Sequence, residues 1–438
     1  MRGTQTINHK NHLEIGGVDT VTLAEKYGTP LYVYDVETIR AKSRAFKAAF
    51  DHYPINYKVA YASKAFSSVA MVQLAAELDL ALDVVSGGEL YTALVAGYPS
   101  ENIHFHGNNK SEQEIKMSIE HHIGAIVVDN FSELEMVKNI SEMEQKQVKV
   151  LLRMTPGVEA HTHEYITTGQ MDSKFGFDLM NGEVKRAIQF ALEAKTIELC
   201  GLHSHIGSQI FDVNGFIHAI QRVYDHIAIW HKELNYTPDI LNVGGGFGIA
   251  YTKKDEPQPV ETLIRSIVET VIAEAEKHEL GLPEIWIEPG RSIVGEAGTT
   301  LYTVGTQKNI PNVRKYITVD GGMSDNLRPA LYQAEYEAII ANRAGELPEE
   351  HVAVAGKLCE SGDILIQDIE LPVAERGDLL AVFCTGAYGY SMSNNYNRLP
   401  RPAVVFVEEG QDQLVIKRET YEDLLQFDLS LQTPIKEK

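Results

Sequence analysis

The 438-residue chain reads as an α/β protein, a (β/α)8 barrel joined to a mostly β second domain. Three observations predict this. From about residue 37 to residue 290, eight short apolar runs alternate with longer segments of helical periodicity, and roughly 250 residues is the size of such a barrel. Glycines and polar residues gather after nearly every run, as expected where all strand C-termini open on one mouth. After Arg291 the alternation stops and strand-like runs follow with few long helices between them. The alternative is an open doubly wound sheet; no Gly-x-Gly-x-x-Gly motif follows the first strand, which favours the barrel.

In chain order, residues 22–27 have helical character, Gly28-Thr29-Pro30 breaks it, and a strand follows at 31–34. The barrel strands are predicted at 56–63, 80–85, 103–106, 125–128, 148–154, 199–205, 240–243 and 284–287. Helices are predicted between them at 67–78, 88–96, 112–122, 132–143, 184–193, 215–233 and 260–278. The second domain is predicted to hold strands at 300–306, 315–319, 351–355, 378–383, 403–408 and 414–418, with the N-terminal strand 31–34 joining them. The expected division is 37–290 for the barrel and 1–36 plus 291–438 for the β domain, with 433–438 frayed.

Composition narrows the function. With 44% hydrophobic and 23% charged residues the chain is an ordinary globular protein. A formal net charge of -22 argues against nucleic acid and against anionic membranes as partners. An anionic substrate then has to be drawn by local arginines and lysines. Cys200, Cys359 and Cys384 are too few and too widely spaced for a disulfide framework or a zinc knuckle, which fits a reducing compartment. The N-terminus lacks an apolar signal core, and no apolar run is long enough to span a bilayer. The expected location is the cytoplasm.

The residues able to carry chemistry sit at strand ends. Lys64 follows the first strand, where an amine can point into a cavity; desolvation there lowers its pKa and lets it form an imine with an aldehyde. A solvated strand-end lysine is the plainer reading. Ser86-Gly87-Gly88-Glu89, after the second strand, is either a ligand turn or a helix cap. His203 and His205 share one face of the sixth strand, and either bind a metal, place an imidazole against a flat ring, or fill the core. His104/His106 and His161/His163 repeat that spacing. Gly244-Gly245-Gly246 offers backbone N–H groups to a phosphate, or forms only a flexible turn. Glu288 and Arg291, after the eighth strand, are a carboxylate that can keep a pyridine ring protonated and a bidentate anion binder, or else a closing ion pair. In the β domain, Arg328 can bind a carboxylate beside the hydroxyl of Tyr332, Glu360 an amine, and Tyr388 a phosphate or substrate, while Cys359 can donate a proton. Taken singly, each of these five has a packing or surface role as its plainer reading.

Together and in this order, the motifs resemble the fold type III pyridoxal-phosphate decarboxylases with an alanine-racemase-like barrel, and within them the diaminopimelate-decarboxylating branch. The resemblance is carried by His203-Ser204-His205-Ile206-Gly207-Ser208, Glu288-Pro289-Gly290-Arg291, Arg328–Tyr332, Cys359-Glu360-Ser361-Gly362-Asp363 and the stretch 386–397, and covers nearly the whole chain. It implies pyridoxal 5'-phosphate held by Lys64, with His205 stacked on the ring, Glu288 at the ring nitrogen, and Ser208, Gly244, Gly245, Gly246 and Gly290 around the phosphate. Arg291, Arg328 and Tyr332 would bind the distal end of the substrate, Glu360 its amine, and Tyr388 both cofactor and substrate. Cys359 would protonate Cα. The reaction implied is decarboxylation of meso-2,6-diaminopimelate to L-lysine and CO2, the final step of lysine synthesis, in a homodimer or higher homo-oligomer with shared sites and no metal. Phe66 stands where the wider family more often has asparagine. Two rivals remain open: a metal-dependent barrel hydrolase built on His203 and His205, and a homologue that binds the cofactor without decarboxylating.

Overall fold

A computed structural model describes residues 1–158 and 173–431. The chain divides into two compact units. One comprises Val36–Ala297 and Gly386–Ser391; the other comprises Met1–Asp35, Gly298–Thr385 and the chain from Met392 onward.

The first unit is an eight-stranded parallel barrel. Its strands are β1 (Tyr57–Ala62), β2 (Ala81–Val84), β3 (Ile103–Phe105), β4 (Ala125–Val128), β5 (Val148–Thr155), β6 (Ile197–Ser204), β7 (Ile240–Asn242) and β8 (Glu284–Ile287). Each pairs in parallel with the next, and β8 pairs with β1, which closes the ring. The strands read as continuous apolar runs because both faces are covered. All four residues of β4, for example, are buried. Ala125, Val127, Leu151 and Trp286 pack as one cluster in the barrel.

Helices follow the strands, and polar side chains start them. Ser68 caps Val69–Glu77, Ser86 caps Gly87–Val95, and Ser111 with Glu114 forms a capping box on Glu112–Glu120. The Ser86-Gly87-Gly88 turn is therefore a helix cap. Its Glu89 turns back instead, with Oε2 accepting the Val85 N–H at 2.8 Å and the Ser63 hydroxyl at 2.9 Å. This ties the end of β2 to the turn that carries Lys64.

The second unit is a mixed β-sheet. Its strands run in the order Ile364–Leu371, Glu350–Ala355, Arg314–Val319, Gly298–Ile310, Leu31–Asp35, Ala403–Glu408 and Gln411–Ile416. Leu379–Phe383 pairs with Gly298–Ile310 and with Ala338–Ile340. The N-terminal strand does join this sheet, pairing with both Gly298–Ile310 and Ala403–Glu408. The strands Ile364–Leu371 and Ala338–Ile340 were not expected; the first buries Leu365, Ile366 and Leu371 and exposes the three acidic or amide side chains Gln367, Asp368 and Glu370. The last expected strand, 414–418, lies earlier, at Gln411–Ile416. Glu409 and Gly410 both take positive φ, and this two-residue hairpin turn fixes where the returning strand begins.

Candidate active site

The end of β8 sets the chemistry. Glu288 lies just past the strand, held by its N–H on the Gly244 carbonyl at 2.9 Å. Its carboxylate is almost fully enclosed. Asn242 Nδ2 donates to Oε1 at 2.6 Å, and His203 Nε2 lies 3.2 Å from both Oε1 and Oε2. His106 Nε2, beyond β3, lies 3.3 Å from Oε1. Burial alone would push the Glu288 carboxyl up, but His203 and His106 beside it hold it well below the usual carboxylate range. Burial in turn lowers His203 to about 4, against the pull of Glu288. At neutral pH the pair is thus an ionised carboxylate accepting from a neutral imidazole.

Its neighbour His104 is fully buried, with Nδ1 3.3 Å from Asp83 Oδ1 and its ring stacked on Trp286. The convergence that a metal reading requires is present, since ligand atoms of His106, His203 and Glu288 lie within 4.8 Å of one another. His161 and His163 lie outside the described residues.

Lys64 sits on a single 3-10 turn, Ser63–Ala65, directly after β1. Its side chain is exposed, so the desolvation expected of a strand-end pocket is not imposed by the chain itself. The turn is fastened on two sides. Ala62 N–H donates to the Pro289 carbonyl at 3.2 Å, and the Ala65 carbonyl accepts from Tyr388 N–H at 2.8 Å and from the Ser391 hydroxyl at 3.0 Å. Lys64, Glu288 and Tyr388 are thereby bound into one backbone assembly. Phe66 is buried; its carbonyl accepts the Tyr61 hydroxyl and its ring meets Tyr390 edge-on at 6.1 Å.

His205, after β6, is half-buried. Burial, with Lys64 and Arg153 nearby, holds its pKa well below the ordinary value. Its Nδ1 accepts the Gly245 N–H at 3.3 Å.

The glycine turn after β7 is crowded rather than flexible. A Cβ on Gly245 would stand 2.0 Å from the Glu288 carbonyl oxygen, and one on Gly246 2.1 Å from that of Gly207. Two of the N–H groups expected to face a phosphate are used internally, Gly244 on Asn242 Oδ1 at 2.9 Å and Gly245 on His205. The anion grip lies beside them. Arg291 is buried, donates Nη2 to Ser208 Oγ at 2.8 Å and Nη1 to the Tyr251 hydroxyl, and lies 4.8 Å from the Tyr388 ring centre. Arg291 Nε and Ser292 Oγ are buried without a hydrogen-bond partner among the described residues. Unused donors on a buried cation suit a phosphate. Gly290 packs within 3.2 Å of where its Cβ would meet Ala62 and Ala65.

The remaining predicted residues belong to the other unit. Arg328 is buried and donates to the Tyr336 hydroxyl at 2.9 Å, while Tyr332 is half-buried at the end of the same short helix. Cys359 and Glu360 are exposed on a loop fixed by Cys359 N–H on Asn397 Oδ1 at 2.8 Å. Asp363 closes that loop, accepting Leu358 N–H at 2.8 Å and Met323 N–H at 2.6 Å. Among the described residues, Cys200, Cys359 and Cys384 form no disulfide.

Comparison with known proteins reads this arrangement. Residues 36–295 match the family described as pyridoxal-dependent decarboxylase, pyridoxal binding domain. The chain is 60% identical over 437 residues to the diaminopimelate decarboxylase of Bacillus subtilis, covering 100% of both. It belongs to the diaminopimelate decarboxylase family. That of Staphylococcus aureus is 48% identical over 423 residues, covering 96% of this chain and 99% of its own. Among solved structures, the diaminopimelate decarboxylase of M. jannaschii in complex with L-lysine superposes with a TM-score of 0.91 at 38% identity, covering 98% of each chain.

The pyridoxal phosphate of this family fits the residues present: an amine at Lys64, a buried anion at Glu288 for a protonated ring nitrogen, and a buried cation with spare donors at Arg291. In the diaminopimelate decarboxylase barrel, Lys64, His205, Ser208, Gly244–Gly246, Glu288, Gly290, Arg291 and Tyr388 share one unit. Sequence reasoning missed Asn242, His106 and Tyr251 as parts of this site. Asn242 opens the glycine motif and His106 had the paired spacing, whereas nothing local marks Tyr251.

Proposed function

We propose that this chain decarboxylates meso-2,6-diaminopimelate to L-lysine and CO2, with pyridoxal 5'-phosphate carried by Lys64. Diaminopimelate decarboxylase activity is that of the relatives it matches over its full length. The observation that carries the reading within the structure is the hydrogen bond from Ala62 N–H to the Pro289 carbonyl, which ties the Lys64 turn to the Glu288–Arg291 segment whose Arg291 grips Ser208 in the same barrel.

Bound pyridoxal phosphate supplies an electron sink for the breaking bond between Cα and its carboxylate. The chain supplies the rest. Arg291 and Ser208 hold the phosphate by a charge-assisted grip. Glu288, kept ionised, accepts the ring N–H. His205, kept neutral, offers its imidazole to the ring without adding a positive charge. Arg328 takes the carboxylate of the distal, amino-acid-like end, and Glu360 takes the distal amine. That pair of opposite charges suits a diaminodicarboxylate better than ornithine or a polyamine, which lack the distal carboxylate. Cys359 Sγ gives its proton to Cα as CO2 departs.

Exposure of Cys359 and Glu360 in the single chain supports a homo-oligomer, at least a dimer, in which the loop 356–363 serves a neighbouring copy. Acidic charge and the lack, among the described residues, of any helix long and apolar enough to cross a membrane support an enzyme of the cytoplasm.

Turnover of meso-diaminopimelate, ornithine and arginine side by side tests the substrate, and faster turnover of either of the last two defeats the assignment. Borohydride trapping with peptide mapping tests the cofactor. A pyridoxyl group on Lys64 supports it, whereas an unmodified Lys64 with a divalent ion bound at His106, His203 and Glu288 supports the metal reading.

A further inference from the structure

The carboxylate of Glu288 is hydrogen-bonded from two other strands and faced by His106 beyond a third, which is more than a hydrogen bond to a ring nitrogen needs. We propose that His203 and Asn242, with His106 beside them, are positioning residues that fix Glu288 in one orientation as an anion and leave Oε2 one open acceptor position for the cofactor ring N–H. This rests on the cofactor reading above and goes beyond it, because none of these three residues touches the reacting atoms.

The geometry assigns each role. Asn242 is completely buried, and its amide cannot turn over without loss: Oδ1 accepts the Gly244 N–H at 2.9 Å, so Nδ2 is left as the donor to Oε1 at 2.6 Å. His106 Nε2 faces Oε1 at 3.3 Å without completing a hydrogen bond. His203 Nε2 lies 3.2 Å from both carboxylate oxygens, and among the described residues no other side chain is hydrogen-bonded to Oε2. His203 is 1% exposed and its Nδ1 has no partner among the described residues, so the ring proton belongs on Nε2.

Charge explains why neutral donors are used. Glu288 is faced by His203, His106 and Asn242, with Asp83 Oδ1 3.6 Å beyond on His106 and with Arg153, Lys64 and His205 also acting on the cluster. A protonated His203 would cancel the carboxylate charge and remove the pull on the ring proton. A neutral imidazole and an amide orient the carboxylate without cancelling it. With either donor removed, the buried anion would lose a compensating hydrogen bond and become basic enough to take the ring proton for itself, which would leave the ring as its free base.

The test compares His203→Leu, which deletes the donor, with His203→Gln, which restores one, each as holoenzyme. We expect His203→Leu to lose about tenfold to a hundredfold in kcat with KM within about threefold, the size of loss typical when an orienting partner is removed. The 15N resonance of cofactor labelled at the ring nitrogen should move from the protonated to the free-base position, and His203→Gln should recover both. A His203→Leu enzyme with unchanged kcat and a still-protonated ring overturns the proposal. Should that variant not fold, the wild-type 15N signal decides, because a free-base ring at neutral pH overturns it equally. Borohydride trapping at Lys64 separates the two levels: no pyridoxyl adduct there sinks the cofactor reading and the proposal with it, whereas an adduct with a free-base ring sinks the proposal alone.

Discussion

Gly245→Ala isolates the contact between the glycine turn and Glu288. Gly245 does not lie in the left-handed region, so alanine is opposed there by space alone. The added Cβ would lie 2.0 Å from the Glu288 carbonyl oxygen and 2.8 Å from its carbonyl carbon. Ordinary contact begins near 3.5 Å, so the two backbones must part by more than about 1 Å. Neither can do so freely, because Glu288 N–H is bonded to Gly244 O and Val243 N–H to Trp286 O. Overpacking of this kind costs about 1–3 kcal/mol, a fall in Tm of about 2–12 °C at the roughly 2–4 °C per kcal/mol of a unit of this size. A shift near 1 Å at a catalytic carboxylate also costs on the order of a hundredfold in rate. The assay is CO2 release from meso-diaminopimelate with calorimetry on the same preparations. Gly281→Ala is the control, since no heavy atom lies within 4 Å of its added Cβ, and it should keep both rate and Tm. Wild-type kcat/KM and Tm in Gly245→Ala would refute the claim that close approach at this turn sets the position of Glu288.

Acid should destabilise the fold through the same cluster. His203 has a folded pKa of about 4 against an ordinary 6.5, so the unfolded chain binds the extra proton between these values. Stability therefore rises with pH through that window and is lost as pH falls through it, by about 3 kcal/mol from this residue. Urea midpoints between about pH 7 and pH 4.5 should show the slope, and His203→Gln should flatten it. Asp363→Asn should raise KM and lower kcat while leaving cofactor absorbance unchanged, because the amide must turn its NH2 toward either the Leu358 or the Met323 N–H, at about 1–3 kcal/mol. Arg291→Lys should weaken cofactor retention in dialysis by about tenfold or more, since one ammonium cannot serve Ser208 and Tyr251 together and still stack on Tyr388.

Much of the barrel was legible because burial on both faces leaves a simple signal. β4 and β8 coincide with their predicted limits; β4 is a short apolar run between Gly124 and Asp129, and β8 an apolar triplet between Glu284 and Glu288. The second unit was harder to read where one strand face meets water. Ile364–Leu371 carries Gln367, Asp368 and Glu370 on exposed positions, which break up its apolar run although it pairs along Glu350–Ala355. Similarly, the hairpin at Glu409–Gly410 is set by two positive φ angles, and only one of them falls on a glycine.

The site divides along a different line. Residues whose chemistry is unusual for their place stood out: a lysine ending a strand, three glycines together, a Glu-Pro-Gly-Arg turn. What could not be read was which of them meet, because that depends on register. The ladder sets His203 beside Asn242 and Asn242 beside Trp286, and Glu288 lies two residues beyond Trp286 on the same side of its strand. A one-residue slip of β7 would turn Asn242 to the outside of the barrel and leave Oε1 without its closest donor. The Asn242–Glu288 and His203–Glu288 contacts span 46 and 85 residues of chain, and no local pattern encodes them. They follow from the closure of the ring, so the packing that makes the barrel stable is also what keeps one carboxylate ionised and aimed.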